Sequence, residues 1–342
     1  MNNLILTDRS RIEADQQCHM ERYWLTEYAG RGIVPSAPAL PLLLGTIIHH
    51  GLQHMRSDHP WEHVIKDLDE ELATLSLLWG PDQELMAEGL VKAFHKRVLP
   101  MLLHDYDIVA IEQELDFEAG GVIFQCRPDL LVRDKRDGSL IYPDFKTFTK
   151  WDDRQWDCSL QQHLTMKACE QATGEPVRAC LIQGLSKGYK GKGGVLHHPL
   201  VYFYQCTSGQ YVTRKVAGSK KLCVTDYPGG MDRWVQDISG DVIAKIFPRS
   251  QPIFPSEFMQ GRAFDDLLKR EQEIAAARRK PAKLQHLLFS TQTRNCLRYG
   301  GYKCNYFDLC RKAEHQTAPL DHGYKWREPH HALEQQMTQE KG

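Results

Sequence analysis

Hydrophobic positions in the first hundred residues recur at the spacing of helices. Residues 10–30 and 42–57 have this pattern, and in 61–104 apolar residues such as Leu68 and Leu72 lie about one helical turn apart. We therefore predict helices over these three stretches. The last of them is expected to form a helical lid or insert.

From residue 107 the pattern changes to the alternation of apolar and polar positions that is typical of strands. Strands are predicted over 108–117, 121–134, 139–148, 179–186 and 200–206, and helices over 157–173 and 263–280. The segment KRDG favours a tight turn between the second and third strands. This order of elements predicts the α/β class, with a mixed sheet core flanked by helices and helical additions at both ends.

The same order divides the chain into five parts. We predict N-terminal helices, a helical insert, a sheet core, a C-terminal helical region and a tail, at 1–60, 61–104, 105–210, 211–315 and 316–342.

Composition and charge indicate the cellular compartment of the protein but not its binding partner. The formal net charge is −1, so a surface that binds nucleic acid would have to be a local basic stripe. The first residues lack the basic start and apolar run of a signal peptide, and no stretch reaches the roughly 18 apolar residues of a membrane span. We expect a cytoplasmic protein without a membrane partner.

Two carboxylates and a lysine are predicted to converge in RPDLLVRDKRDGSLIYPDFKTF. Side chains alternate along a strand, so Asp144 and Lys146 share one face while Phe145 points to the other. The turn at KRDG allows the preceding strand to bring Asp129 beside them. A lone D-x-K is more often a solvated surface hairpin, but two carboxylates placed together are costly unless a cation joins them. Mg²⁺ or Mn²⁺ at such a site activates water for attack on a phosphodiester.

This stretch resembles the PD-(D/E)XK nuclease superfamily, specifically its RecB-like branch with an iron–sulfur cluster. That branch includes CRISPR-associated iron–sulfur exonucleases and related phage nucleases, and the fold it implies is restriction-endonuclease-like. The resemblance implies that Asp129 and Asp144 bind the metal, with the main-chain carbonyl of Phe145, and that Lys146 is catalytic.

Two further stretches resemble motifs that supply metal ligands in that branch. GTIIHHGL (45–52) is similar to a helix that carries a histidine ligand, and the register selects His49 rather than His50. AIEQELDF is similar to a strand that supplies a glutamate to the site. Glu112 and Glu114 lie on the same predicted face, so the choice between them stays open, with Glu114 as the working assignment.

A third stretch, SLQQHLTM (159–166), resembles the helix that lines the DNA channel. It selects Gln161, although Thr165 stands where a tyrosine is usual. Cys126 likewise replaces a common glycine two residues before Pro128.

Three of the ten cysteines are spaced C-x7-C-x5-C in NCLRYGGYKCNYFDLC, which supplies Cys296, Cys304 and Cys310. Tetrahedral zinc and iron–sulfur sites both require four ligands, and the spacing does not distinguish them. Cys18 is the most plausible fourth ligand, since SRIEADQQCHMERYWLTEY resembles the opening of the RecB-like branch. The resemblance implies a [4Fe–4S] cluster; zinc or unligated cysteines are the alternatives.

Taken together, these motifs predict a metal-dependent DNA nuclease, expected to act as an exonuclease at DNA ends in recombination, repair, phage or CRISPR-related processing. A catalytically silent DNA-binding or assembly subunit and an RNA nuclease are the alternatives. Expected partners are DNA and a recombinase, helicase or CRISPR integration complex. Phosphate contacts are expected from the basic loop 187–194 and from Lys220, Lys221, Arg278, Arg279 and Lys280.

Overall fold

The computed structural model describes residues 5–37, 40–54, 61–152, 154, 156, 157, 159–190, 196–280, 289, 296, 303–329 and 331–339. Its α-helices are α1 (Arg9–Gln17), α2 (His19–Arg22), α3 (Leu40–Gln53), α4 (Trp61–Asp67), α5 (Asp69–Trp79), α6 (Pro81–Ala93), α7 (Leu99–Asp105), α8 (Leu160–Thr173), α9 (Gly230–Asp237), α10 (Gly240–Ile246), α11 (Glu257–Gln260), α12 (Arg262–Arg278), α13 (Phe307–Arg311), α14 (Ala313–Thr317) and α15 (Ala332–Gln339). Turns of π-helix occupy Tyr23–Glu27 and Phe94–Val98, and 3-10 turns occupy Tyr28–Gly30, Val224–Asp226 and Pro319–His322.

The strands are β1 (Ile5–Asp8), β2 (Ile33–Pro35), β3 (Tyr106–Ile111), β4 (Leu115–Ala119), β5 (Val122–Cys126), β6 (Leu130–Asp134), β7 (Leu140–Phe148), β8 (Val177–Ser186), β9 (Tyr189–Lys190), β10 (Leu196–His197), β11 (Tyr202–Gln205), β12 (Tyr211–Val212), β13 (Lys220–Cys223) and β14 (Tyr324–Trp326). The main sheet has the order β3-β6-β7-β8, in which only β7 and β8 run parallel. A second sheet has the order β1-β5-β4, and smaller sheets are β12-β11-β13, β10-β9 and β14-β2. The predicted class, mixed α/β with flanking helices, is confirmed.

Two of the predicted strands are each broken in two. The stretch 108–117 contains β3 and β4, and 121–134 contains β5 and β6, with the halves in different sheets. The first break falls at Glu112, whose φ of 48° is left-handed and incompatible with a continuing strand. The prediction of one alternating strand across Glu112 and Glu114 is therefore wrong.

Strands β7 and β8 are buried on both faces, which explains their nearly continuous apolar sequence. Phe145, Leu181 and Leu185 pack with α3 in the largest hydrophobic cluster. Tyr142 and Ile182, which point the other way, pack with α8 in a second cluster. Helices on opposite faces of the sheet thus approach the same stretch of β7.

A third hydrophobic cluster joins the two ends of the described chain. It includes Cys18 and Trp24 from the N-terminal part with Tyr306, Leu309 and Tyr324 from the C-terminal part. β14 also pairs antiparallel with β2. Part of the basic loop predicted at 187–194, and the chain from 297 to 302, lie outside the described residues.

The helices predicted over 42–57, 61–104, 157–173 and 263–280 are confirmed as α3, α4 to α7, α8 and α12. None of the helices in the described ranges is long and apolar enough to cross a membrane.

Candidate metal centre

The hairpin β6–β7 is defined by its turn. Asp134 accepts hydrogen bonds from the Arg136 backbone N–H at 2.9 Å and from its guanidinium, and Asp137 accepts one from the Ser139 N–H at 3.0 Å. Gly138 adopts a φ of 75°, which glycine accommodates without steric cost. The strands then pair with Val132 opposite Ile141, so the sequence after the turn enters β7 in a defined register.

Asp129 precedes β6 and is bonded to the neighbouring strand. Its Oδ2 accepts a hydrogen bond from the Phe145 backbone N–H at 2.6 Å. The side chain is only 12% exposed. This bond explains how Asp129 comes to lie beside β7, as the turn at KRDG predicted.

His49 and Glu112 complete a compact group with Asp129. His49 Nδ1 lies 3.3 Å from Asp129 Oδ1 and 3.7 Å from Glu112 Oε1. One ligand atom from each of the three residues lies within 4.8 Å of the others. α3 supplies His49 because its apolar side, including Ile47 and Ile48, is buried against the main sheet. Arg127 binds Glu112 from the outer side at 3.0 Å.

Asp144 lies at the centre of a second set of polar contacts. Its Oδ2 is 2.6 Å from Lys146 Nζ and accepts a hydrogen bond from Gln162 Nε2 at 3.0 Å. Its Oδ1 accepts one from the Tyr142 hydroxyl at 2.9 Å. Because a carboxylate offers about four lone-pair positions, these three contacts leave about one of them unused.

The charges of the two sets act on one another. Burial by itself disfavours protonated His49, but the Asp129 carboxylate reverses this effect and raises the pKa of His49 to about 10. Burial is likewise outweighed at Asp129, where His49 and Lys146 hold the pKa of the carboxyl well below its ordinary value. Burial and the neighbouring Asp144 raise the pKa of Tyr142, so its hydroxyl stays a hydrogen-bond donor.

A family model of the PD-(D/E)XK nuclease superfamily matches residues 9–311 of the chain. The chain belongs to the PD-(D/E)XK nuclease superfamily. The match spans α1 to α13 and includes all of the polar contacts described above. A search of curated proteins finds no relative that matches.

In this PD-(D/E)XK chain, Glu112 is the glutamate that lies close to His49 and Asp129, whereas Glu114, the working assignment, is not part of that group. Glu114 Oε2 instead accepts a hydrogen bond from the Ala332 backbone N–H at 3.1 Å, at the start of α15. The left-handed backbone at Glu112 turns the two carboxylates apart.

The glutamine that contacts Asp144 is Gln162, whereas Gln161 lines the adjoining cleft. Sequence reasoning also missed Tyr142. Its position two residues before Asp144 on a strand was the available signal, because residues i and i+2 share a face.

The compact group of His49, Glu112 and Asp129 opens into a cleft of about 910 Å³. Besides His49, Glu112 and Asp129, its wall includes Arg9, Gln16, Gln161, Thr165, Arg270 and His331. None of the described side chains in this wall comes from 61–104. Those helices pack into the largest hydrophobic cluster, and their role as a lid stays a prediction.

The four predicted cluster cysteines lie at the junction of the two chain ends. Cys18, Cys304 and Cys310 belong to the third hydrophobic cluster, and the Cys304 N–H donates to the Cys296 carbonyl at 2.9 Å. Burial raises the pKa of the Cys310 thiol, and nearby Cys18 and Cys296 add to the effect. Within the described ranges, His49, Glu112 and Asp129 are the one potential metal-binding group as compact as 4.8 Å.

Proposed function

We propose that this chain is a divalent-metal-dependent deoxyribonuclease that hydrolyses phosphodiester bonds. The observation that carries the proposal is the approach of His49, Glu112 and Asp129 to within 4.8 Å of one another, beside the Asp144–Lys146 pair. Membership of a nuclease superfamily supports the reaction class. The choice of DNA as substrate rests on the motifs that resemble the RecB-like branch.

The donor set suits Mg²⁺ or Mn²⁺. Carboxylate and carbonyl oxygens are the preferred ligands of these ions, and one imidazole is compatible with Mn²⁺. We assign the metal to His49, Glu112, Asp129, Asp144 and the main-chain carbonyl of Phe145. When bound, the cation would supply positive charge that polarises the phosphodiester and favours the ionisation of water.

The protein's own groups have separate roles around that ion. Tyr142 and Gln162 hold the Asp144 carboxylate from two directions, so its orientation is set before substrate binds. Lys146, whose side chain is 14% exposed, is assigned to stabilise negative charge on the phosphate. Gln161 in the cleft wall is assigned to the bound strand.

Substitution at β7 tests the mechanism. Asp144→Ala or Lys146→Ala is expected to lower Mg²⁺-dependent cleavage of linear DNA by about a hundredfold or more, the usual effect of losing such a group. Lys150→Ala, at an exposed lysine four residues further on, should leave cleavage unaffected. Full activity of Asp144→Ala, or undiminished cleavage in EDTA, would contradict the proposal. Cleavage of RNA and not of DNA would show that the protein is a ribonuclease.

We also propose that cleavage starts from a free end, because the motifs resemble those of end-degrading enzymes. Linear single strands should be degraded to short products, whereas closed circles of the same sequence should survive. Equal rates on the two substrates would identify an endonuclease.

A structural [4Fe–4S] cluster on Cys18, Cys296, Cys304 and Cys310 is the second part of the proposal. Support comes from the approach of the two chain ends in one hydrophobic cluster. The backbone hydrogen bond from the Cys304 N–H to the Cys296 carbonyl also brings two of these residues together. A tetrahedral zinc site would bring its sulfur ligands to about 4 Å from one another. Among the described residues, no three of these cysteines form a group within 4.8 Å.

Iron content tests this assignment. The protein purified without oxygen should be brown and contain about four irons per chain, because thiolate-bound clusters absorb visible light. Cys18→Ser should remove the colour and lower stability, since metal binding and folding are coupled. Cys206→Ser, at a cysteine outside the four proposed ligands, should keep both the colour and the stability of the wild type. One zinc and no iron, or full iron content in Cys18→Ser, would overturn the assignment.

A further inference from the structure

The part of the chain that follows the superfamily match contributes a residue, His331, to the wall of the cleft. The match ends at residue 311, but β14 then pairs with β2, with Trp326 opposite Ile33. The Arg327 N–H donates to the Gly32 carbonyl at 3.1 Å and extends this pairing. The C-terminal segment is thus fixed to the part of the protein that precedes α3.

A buried ion network then fixes α15 against α1. Glu334 on α15 forms ion pairs with Arg11 on α1 and with Arg327, and all three residues are less than 9% exposed. Buried charges are tolerated only when they are paired in good geometry. α15 is therefore held in one place relative to the cleft.

The start of α15 is attached to the sheet as well. The Ala332 N–H donates to Glu114 Oε2 at 3.1 Å, and His331 Nδ1 lies 4.0 Å from Glu114 Oε1. These contacts direct His331, which is half-buried, into the wall of the cleft that contains the metal group. Asp8 lines the same wall. Ionised carboxylates such as those of Asp8 and Glu114 only accept hydrogen bonds, whereas the His331 imidazole can donate one to a phosphate.

We infer that His331 is a substrate-binding residue that donates a hydrogen bond to a phosphate of the strand in the cleft. The inference rests on the proposed function. It extends the site to a segment that the superfamily match does not cover. Glu114, Glu334 and Arg327 are positioning residues, since they act by fixing the element that carries His331.

Binding without turnover provides the test. In the Lys146→Ala background with Mg²⁺, we would measure the anisotropy of a short fluorescein-labelled single strand. His331→Ala should raise the dissociation constant about tenfold or more, the usual effect of removing a hydrogen bond to a charged group. His331→Gln, which keeps an N–H donor, should recover part of the loss. His322→Ala is the matched control, because this exposed C-terminal histidine is outside the cleft wall.

Steady-state cleavage separates this role from a structural one. With Lys146 intact, His331→Ala should raise KM by a similar factor while kcat and the unfolding midpoint stay close to wild type. An unchanged dissociation constant, or a loss confined to kcat, would overturn the inference while leaving the nuclease assignment intact. Failure of the wild-type protein to cleave any nucleic acid would instead overturn the proposed function itself.

Discussion

Glu112 combines an unfavourable backbone conformation with a place in the compact group of His49, Glu112 and Asp129. Its φ of 48° lies in the left-handed region that residues other than glycine rarely adopt, at a cost on the order of 1–3 kcal/mol. The side chain gains contacts with His49 and Arg127 in return. Backbone strain at this residue is therefore linked to the geometry of the site.

Substitution at Glu112 by glycine and by alanine should measure that strain. Both changes remove the carboxylate, but only glycine adopts a positive φ without steric cost. Glu112→Gly should therefore be more stable than Glu112→Ala by about 1 kcal/mol in chemical denaturation. Equal stability of the two variants would show that the backbone at this position is not left-handed in solution.

The two glutamates should differ sharply in activity. Glu112→Gln removes a negative charge from the proposed metal ligands and should lower cleavage about a hundredfold. Glu114→Gln keeps an oxygen that accepts the Ala332 N–H, so cleavage should stay within a few fold of wild type. The reverse order in a Mg²⁺-dependent cleavage assay would restore Glu114 as the site glutamate.

At the scale of elements, a glycine in β8 leaves space for an aromatic ring next to β7. Gly184 pairs with Lys146, and a Cβ at Gly184 would lie 2.4 Å from the ring of Trp151 and 2.9 Å from Phe148. Trp151 packs edge-on against Phe148, with ring centroids 5.1 Å apart. The absence of a side chain at Gly184 thus determines how the chain leaves β7 after Lys146.

Gly184→Ala should displace the Trp151 ring. Overpacking of this kind usually costs about 1–3 kcal/mol, and the tryptophan fluorescence should change because the ring moves. Gly240→Ala at the start of α10 is the control, since a Cβ there meets nothing within 4 Å. If Gly184→Ala matches this control in both stability and fluorescence, the Trp151 ring does not pack against Gly184.

At the scale of the whole molecule, buried ion pairs connect distant parts of the chain. The Arg22 guanidinium is fully buried and donates to Glu271 on α12 at 2.9 Å and to Glu27 at 3.1 Å. Arg278 binds Glu27 from the end of α12. Although burial opposes ionisation, Arg278 and Arg22 hold the pKa of Glu27 far below its ordinary value. This network ties α12 to the segment that follows Cys18.

Loss of Glu271 should be much more damaging than loss of its exposed neighbour. Glu271→Ala leaves the Arg22 charge buried without its main partner, which should cost about 3–5 kcal/mol of unfolding free energy. Glu273, which is 55% exposed, lies on the same helix at 3.6 Å from Arg270, and Glu273→Ala should cost less than about 1 kcal/mol. Similar losses in urea denaturation would show that the buried pair contributes no more than the surface pair.

Local sequence alone determined the hairpin that carries Asp129, Asp144 and Lys146. Strand alternation and the KRDG turn act over a few residues, so they could be recognised without knowledge of the rest of the fold. The helices from 42 to 104, α8 and α12 were predictable for the same reason, because the helical period of their apolar residues is a local property.

Only the tertiary structure decided which neighbours complete the site. Gln161 and Gln162 are adjacent on one helix, and the packing of α8 on β7 determines which of them reaches Asp144. The choice between Glu112 and Glu114 depends on a backbone conformation that is locally unfavourable and persists through contacts with distant residues. His331 enters the cleft because the ion pairs of Glu334 fix α15 against α1, which lies more than 300 residues earlier in the chain. Long-range contacts of this kind leave no periodic signal in the sequence.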